Sequence, residues 1–246
     1  MISGIATALF AIATLGAPSG MVRVGPGVAK PLYQARNEAP RSVAAFGLDR
    51  HAVTNGEFLS FVKRNPSWRR DRISPLFGDT GYLASWRSAD ALGNRAKPDA
   101  PVVHVSWFAA RAFCESRGAR LPTEDEWELA AAADERRFDA RDDLAFTERI
   151  LAWYGEPTPE VLPAVAQNKP NRWGAYDLHG LIWEWVDDFA STPAAGTSAD
   201  CGGGAETTGA KLDYAAFMRS AFRSSLEARF TTANLGFRCA KNVETP

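Results

Sequence analysis

Prolines and glycines interrupt this chain so often that neither long helices nor long strands fit easily between them. Pro66, Pro101, Gly118, Pro122, Pro157, Pro159, Pro163 and Pro170 punctuate its apolar stretches. Proline removes a backbone donor and glycine favours left-handed turns, so both end regular elements. Little room is left for the alternating strands and long helices of a doubly wound parallel sheet. There is no internal repeat, and residues 191–210, rich in glycine, alanine, threonine and serine, predict a loop. A mixed α+β fold of short elements is the expectation.

Composition limits what such a chain can do. With 246 residues, 46% hydrophobic and 11% aromatic including eight tryptophans, it can bury one sizeable core as a single domain. Its 28 Lys+Arg against 29 Asp+Glu leave a net charge of -1, so no global field draws nucleic acid or an anionic membrane surface. The basic run from Lys63 to Arg72 around Trp68 reads as a solvated loop.

Residues 1–20 carry an apolar run from Ile5 to Ala17 and end on small residues, the pattern of a secretory signal. The run is short for a membrane span. Neither Lys nor Arg precedes it, which leaves a membrane anchor or a misplaced start as alternatives. The expectation is export, with one domain over 21–246 in the periplasm or outside the cell and no stable membrane span after processing. Paired cysteines close into disulfides in such a compartment, and three cysteines leave one over.

Caps mark three helices. Thr54 with Glu57 three residues later is a capping box ahead of Phe58, Phe61 and Val62. Ser106 caps a second helix that carries Phe108, Ala112 and Phe113 and stops at Gly118. Thr123 with Glu126 opens a third, running through Trp127 and Leu129 into alanines 130–133. Short strands are predicted at 21–24, 44–48, 181–186, 219–224 and 235–239.

Several phrases then fall in a fixed order: Val53-Thr-Asn55, Pro101 to Trp107, Arg120 to Trp127, Gly174 to Gly180, Trp183-Glu-Trp185 and Asn234 to Cys239. Together they resemble the formylglycine-generating enzyme (sulfatase-modifying factor) superfamily, over nearly all of the chain from Met21 onward. The resemblance implies a C-type-lectin-like α+β fold with small twisted antiparallel sheets, two packed helices and much irregular chain.

It also exposes a departure. Family members that make formylglycine bind copper through two cysteines upstream of the final Leu-Gly-Phe-Arg phrase. Counted back from Asn234 without gaps, those positions hold Ala210 and Ala215. Cu(I) takes thiolate ligands, which a methyl group cannot replace. No copper is therefore expected at the cysteine-pair position, and formylglycine-generating oxidase activity is not expected. The ergothioneine-type sulfoxide synthases of the family need an iron-holding histidine-rich domain, and three histidines do not supply one.

The remaining relatives are exported accessory proteins, among them those associated with copper nitrite reductases and one used in maturing a peptide siderophore. The segment from Cys201 through Arg223-Ser-Ser is most similar to the nitrite-reductase-associated type. The resemblance thus implies an exported accessory or maturation factor for a periplasmic metalloprotein, with a copper oxidoreductase as the foremost partner. Two alternatives stay open: an oxidoreductase acting on a peptide or protein side chain, and a lectin-like binding module without catalysis.

Site residues follow from the same resemblance. Cys114 and Cys239 match positions that are disulfide-linked in secreted members, leaving Cys201 as either a buried small hydrophobe or a reactive, candidate catalytic thiol. Asp177, Gly180, Ile182 and Glu184 resemble a structural Ca2+ site of side-chain and backbone oxygens; alternatively Glu184 pairs with an arginine across the strand. A second calcium site of the family needs an asparagine that Ile150 to Trp153 lacks, and is expected to be absent. Trp183, Tyr214, Arg219 and Arg223 are candidate contacts in the family's peptide groove, or structural residues. His104 and His51 read as packing residues, and His179 as a turn residue able to reach solvent.

Overall fold

The structure is a computed structural model that describes residues 20–30, 40–191 and 208–243. The leader-like stretch 1–19 and Cys201 lie outside the described residues.

The two ends of the domain meet in one sheet. Strand β1 (Met21–Val24) pairs antiparallel with β4 (Phe46–Asp49), and β4 pairs on its other edge with β7 (Ala240–Asn242), in the order β1-β4-β7. All four residues of the central strand β4 are buried. A smaller antiparallel pair joins β2 (Gly27–Ala29) to β3 (Arg41–Val43). The third pair, β5 (Trp183–Glu184) with β6 (Leu235–Gly236), is parallel, against the antiparallel expectation. Gly236 sits there because a Cβ would collide with the Val102 carbonyl oxygen and the Ile182 side chain.

The capped helices form where the sequence places them. Helix α1 (Asn55–Arg64) carries a complete Thr54–Glu57 capping box, which satisfies backbone donors at both positions. Phe58, Phe61 and Val62 form its buried stripe, and the rings of Phe58 and Phe61 pack on Phe113. Helix α2 (Trp107–Ser116) is capped by Ser106. Gly118, at φ +63°, turns the chain in the left-handed conformation that glycine adopts freely. Helix α3 (Glu124–Ala131) has the Thr123–Glu126 capping box.

Buried asparagine explains the Val-Thr-Asn phrase. The Asn55 amide donates to the carbonyls of Lys97, Ala100 and Pro101 and accepts from the Trp86 indole N–H, which pins an irregular segment to α1. A disulfide between Cys114 on α2 and Cys239 closes the core across 125 residues of sequence. The pairing that the family resemblance implies is thus formed.

Two helices lie where none was predicted. Helix α4 (Leu144–Gly155) is capped by Asp143, whose carboxylate accepts from the Ala145 and Phe146 amides. Helix α5 (Thr208–Ser224) replaces the strand predicted over 219–224 and begins inside the predicted loop 191–210. The correction has a physical cause: Ala215, Arg219, Phe222 and Arg223 recur at helical spacing and face α4, α3 and β5, so helical periodicity wins over local strand propensity. The predicted strands 181–186 and 235–239 shrink to two residues each.

The basic run around Trp68 is engaged in part, with Lys63, Arg64 and Arg72 exposed. Arg69 pairs with Asp71 and Asp90, and Arg70 donates to the Leu83 and Trp86 carbonyls. Among the described residues no helix is long and apolar enough to cross a membrane.

Candidate functional site

Helix α4 joins a buried cluster to a concave face of the molecule. One side of it, Phe146 and Ile150 with Leu151 and Tyr154 beside them, packs on Ala215 of α5 and on Ala140. Ala215 is therefore a buried methyl at a helix contact, at one of the two positions that the family resemblance equates with copper ligands. The backbone of Ala210 lies seven residues from Phe217 on the same helix. A methyl lets the helices approach closely and offers no lone pair to a metal.

The helix also borders two clefts, with Phe146 and Ile150 reaching the larger and Tyr154 the smaller. The smaller, about 260 Å³, is lined by Trp153, Tyr154, Trp183, Asn234 and the proline segment 157–163. The larger, about 590 Å³, lies between α4 and the turn 168–180 and includes Arg149, Trp153, Asp177 and His179. They share Trp153, Glu156 and Gly180, so they adjoin along one groove.

Trp183 is fixed as a wall. Its backbone N–H donates to the Asn234 carbonyl at 2.7 Å. Its ring packs on Tyr154, stacked at 4.7 Å, on Phe222 at 4.5 Å and on Trp153 at 5.7 Å. These ring contacts hold Trp183 as an aromatic border of the smaller cleft.

Arg219 and Arg223 stand behind this wall. Arg219 donates to both Glu128 oxygens at 2.8 and 2.6 Å and to the Tyr154 hydroxyl at 2.9 Å. Arg223 reaches Glu128 at 2.9 Å and Glu124 at 3.0 Å. Both guanidinium groups lie over the Trp127 ring, 5.7 and 4.8 Å from its centroid. Burial opposes ionisation of Glu128, but the charges and hydrogen bonds of Arg219 and Arg223 outweigh it and hold the carboxyl at about 2. Burial likewise disfavours the Arg219 cation, yet Glu128 raises its pKa above the usual arginine value. Of the four groove residues, only Trp183 lines a cleft; Arg219 and Arg223 are held within the protein, and Tyr214 is exposed on α5 beside Phe217.

The proposed calcium set is divided in this fold. Both Glu184 oxygens are taken: Oε1 accepts from Arg238 Nη2, and Oε2 from Arg238 Nε and the Trp127 indole, all at 2.8 Å. Both side chains of the pair are fully buried. The arginine partner is therefore the arrangement present, with Oε2 accepting twice and Oε1 once. Asp177, at the left-handed φ of +54°, uses one carboxylate oxygen to accept the Ala166 amide. With Gly180 and Ile182 it could offer oxygens to a hard cation, which would compete with Arg238 for the Glu184 carboxylate.

His179 faces the larger cleft from the same turn. Its Nε2 lies 2.9 Å from the Ala131 carbonyl, and its ring meets Trp127 and Phe146 edge-on. Burial first, and the Arg219 charge second, push its pKa down to about 3, so the imidazole is neutral. Its Nδ1 is buried without a partner. His104 also has a buried Nδ1 without a partner and a lowered pKa caused chiefly by burial. His51 is half-buried and meets only the Ala52 carbonyl. Sequence reading missed α4, although Asp143 followed by Phe146, Ile150 and Tyr154 is a cap with a helical stripe.

Comparison with known proteins places this architecture. Residues 9–243 match the model of the sulfatase-modifying factor enzyme 1-like domain. The formylglycine-generating enzyme of Streptomyces coelicolor is 30% identical over 267 residues, covering 86% of this chain and 84% of its own. The inactive C-alpha-formylglycine-generating enzyme 2 of Bos taurus is 33% identical over 245 residues, covering 83% and 80%. The crystal structure of CarF superposes with a TM-score of 0.51 at 17% identity, over 92% of this chain and 99% of that one, and speaks for the fold alone. The chain belongs to the sulfatase-modifying factor enzyme 1-like domain family.

Proposed function

We propose that this chain is an exported accessory or maturation factor that holds a segment of a periplasmic copper protein in the cleft bordered by Trp153, Tyr154 and Trp183. In this reading it does not oxidise a cysteine to formylglycine. The observation that carries it is Ala215, a buried methyl packed between α4 and α5 where the family resemblance calls for a copper thiolate. Similarity to both an active formylglycine-generating enzyme and one named inactive is compatible with a scaffold that persists without that reaction. The Cys114–Cys239 disulfide supports an oxidising compartment. A rigid aromatic border beside a proline-rich rim suits an extended peptide, which gains contact area there at little entropic cost.

Two measurements test this. The purified protein, supplied with Cu(I) and a sulfatase-motif peptide, is expected to leave the peptide mass unchanged; an aldehyde product overturns the reading. In a strain of the source organism lacking the chain, a periplasmic copper oxidoreductase is expected to lose copper content. Wild-type protein restores it and Trp183→Ala restores it poorly. Full copper loading without the chain also overturns the proposal.

A further inference from the structure

The loop 74–77 presents an apolar tip that lines neither cleft. Leu76 is 75% and Phe77 44% exposed, and Pro75 is exposed beside them. Single exposed apolar residues are ordinary on a protein surface. This tip is contiguous, and its backbone is tied down. The Leu76 amide donates to the Ser74 hydroxyl at 3.3 Å, and the Phe77 and Gly78 amides donate to the Ser74 carbonyl at 2.8 and 3.2 Å. The Phe77 ring packs on Trp68 at 6.1 Å and on Phe108 of α2 at 5.1 Å, and Ile73 packs against the core. Leu76 is thus held outward by a folded turn, so that burying it on contact costs little further ordering.

Positive charge collects in the same stretch. From Lys63 to Phe77 there are five Lys or Arg side chains and one carboxylate, Asp71, in a chain of net charge -1. Arg69 takes Asp71 together with Asp90, and Arg70 is held by the Leu83 and Trp86 carbonyls. Lys63, Arg64 and Arg72 are exposed and form no ion pair among the described residues. Lys63 and Arg64 end α1 and lead into Pro66–Trp68, whose indole packs on Phe77. Arg72 precedes Leu76 by four residues.

A projecting tip needs an occupant that it can enter. A lipid bilayer receives Leu and Phe side chains at its acyl boundary, and its anionic headgroups lie at the level that Lys and Arg side chains reach. An acidic protein surface would meet the cations but would also have to supply an apolar recess for Leu76. Either signal alone binds a membrane weakly, and the two together reinforce each other.

We propose that the Pro75-Leu76-Phe77 tip, with Lys63, Arg64 and Arg72 beside it, docks this domain on an anionic lipid bilayer. Such attachment is peripheral and needs no membrane-spanning helix. The surface stands whether or not the accessory-factor reading does.

Flotation of the full chain with vesicles tests it, comparing equimolar phosphatidylglycerol and phosphatidylcholine with phosphatidylcholine alone. The protein is expected to float with the anionic vesicles and not with the neutral ones, and added salt is expected to release it. Leu76→Ser is expected to weaken partition about tenfold by removing the inserted side chain. Replacing Lys63, Arg64 and Arg72 together by glutamine is expected to weaken it about a hundredfold, at about fivefold for each cation near the surface. All four positions are exposed, so the melting temperature of both variants is expected to stay that of the wild type. Equal flotation with neutral and anionic vesicles overturns the proposal. So does flotation that survives both variants, as attachment through the apolar run from Ile5 to Ala17 would. Self-association that Leu76→Ser abolishes, or binding of a polyglutamate peptide, without vesicle binding in either case, assigns the tip to a second copy or to a protein and overturns it as well.

Discussion

Arg238 and Glu184, 54 residues apart in sequence, form a bidentate ion pair with no exposure to solvent. Arg238 also donates to the Tyr176 and Asp49 carbonyls, and Glu184 accepts the Trp127 indole. One buried guanidinium thereby ties the last phrase of the sequence to the 176–184 turn, to β4 and to α3. Removing one partner strands a buried charge, so Arg238→Ala is expected to cost about 3–5 kcal/mol. Urea denaturation at neutral pH measures it; a loss below about 1 kcal/mol contradicts the arrangement.

The same pair bears on metal binding. A calcium ion held by the folded protein at a hundredfold excess over its Kd would add about 2.7 kcal/mol. Because Glu184 is held by Arg238, calcium and a chelator are expected to give the same melting temperature. A rise with calcium that disappears in Glu184→Gln would show the carboxylate leaving Arg238 for the ion.

Glu128 binds α3 to α5 through Arg219 and Arg223, and its loss leaves two buried cations over Trp127. Glu128→Ala is expected to destabilise by about 3–5 kcal/mol. Because Arg219 also orients the Tyr154 hydroxyl, the tryptophan fluorescence of the Trp153–Trp183 wall is expected to change as well. Unchanged emission with an intact fold would separate the clamp from the cleft.

Acid should act first on His179. Its pKa falls from the ordinary 6.5 to about 3 on folding, through burial and then the Arg219 charge, so the unfolded chain binds the extra proton between those values. Stability is therefore full above pH 6.5 and declines as pH falls toward 3. Glu128, lowered from 4.5 to about 2, adds to the loss only below pH 4.5. Between pH 6.5 and 4.5 the His179 contribution is about 2–3 kcal/mol. His104, also lowered, contributes in the same range, so the difference between wild type and His179→Gln isolates the His179 share. Parallel stability curves for the two proteins would refute it.

Reduction of Cys114–Cys239 releases a loop closed across 125 residues. Chain entropy alone puts the loss at roughly 3–5 kcal/mol. Denaturation with and without reductant, set beside a Cys114→Ala/Cys239→Ala variant, checks it; equal midpoints would show that the packed core holds these segments without the bond.

Local chemistry in the sequence accounts for much of the frame. Thr54 with Glu57, Ser106 and Thr123 with Glu126 cap three helices because each cap needs only residues within one turn. The ordered phrases carry the family, and with it the Cys114–Cys239 pairing. Helix α5 was misread at its end because Arg219 to Ser224 has an ambiguous local pattern. Its helical state depends on partners far away, Glu128 on α3 and Tyr154 on α4. The groove was legible in part: Trp183 lines a cleft, whereas Arg219 and Arg223, groove contacts or structural residues by the resemblance, are buried against Glu128 and Glu124.

The sequence by itself determined the starts of three helices, the family, and the alanines at 210 and 215, since capping, motif order and side-chain identity are properties of neighbouring or named residues. Only the tertiary structure decided that Glu184 belongs to Arg238, that Ala215 is a methyl between two helices, and that His179 is buried at the lining of a cleft. Those outcomes depend on which distant groups burial brings together. A buried charge or acceptor takes whatever partner packing leaves within reach.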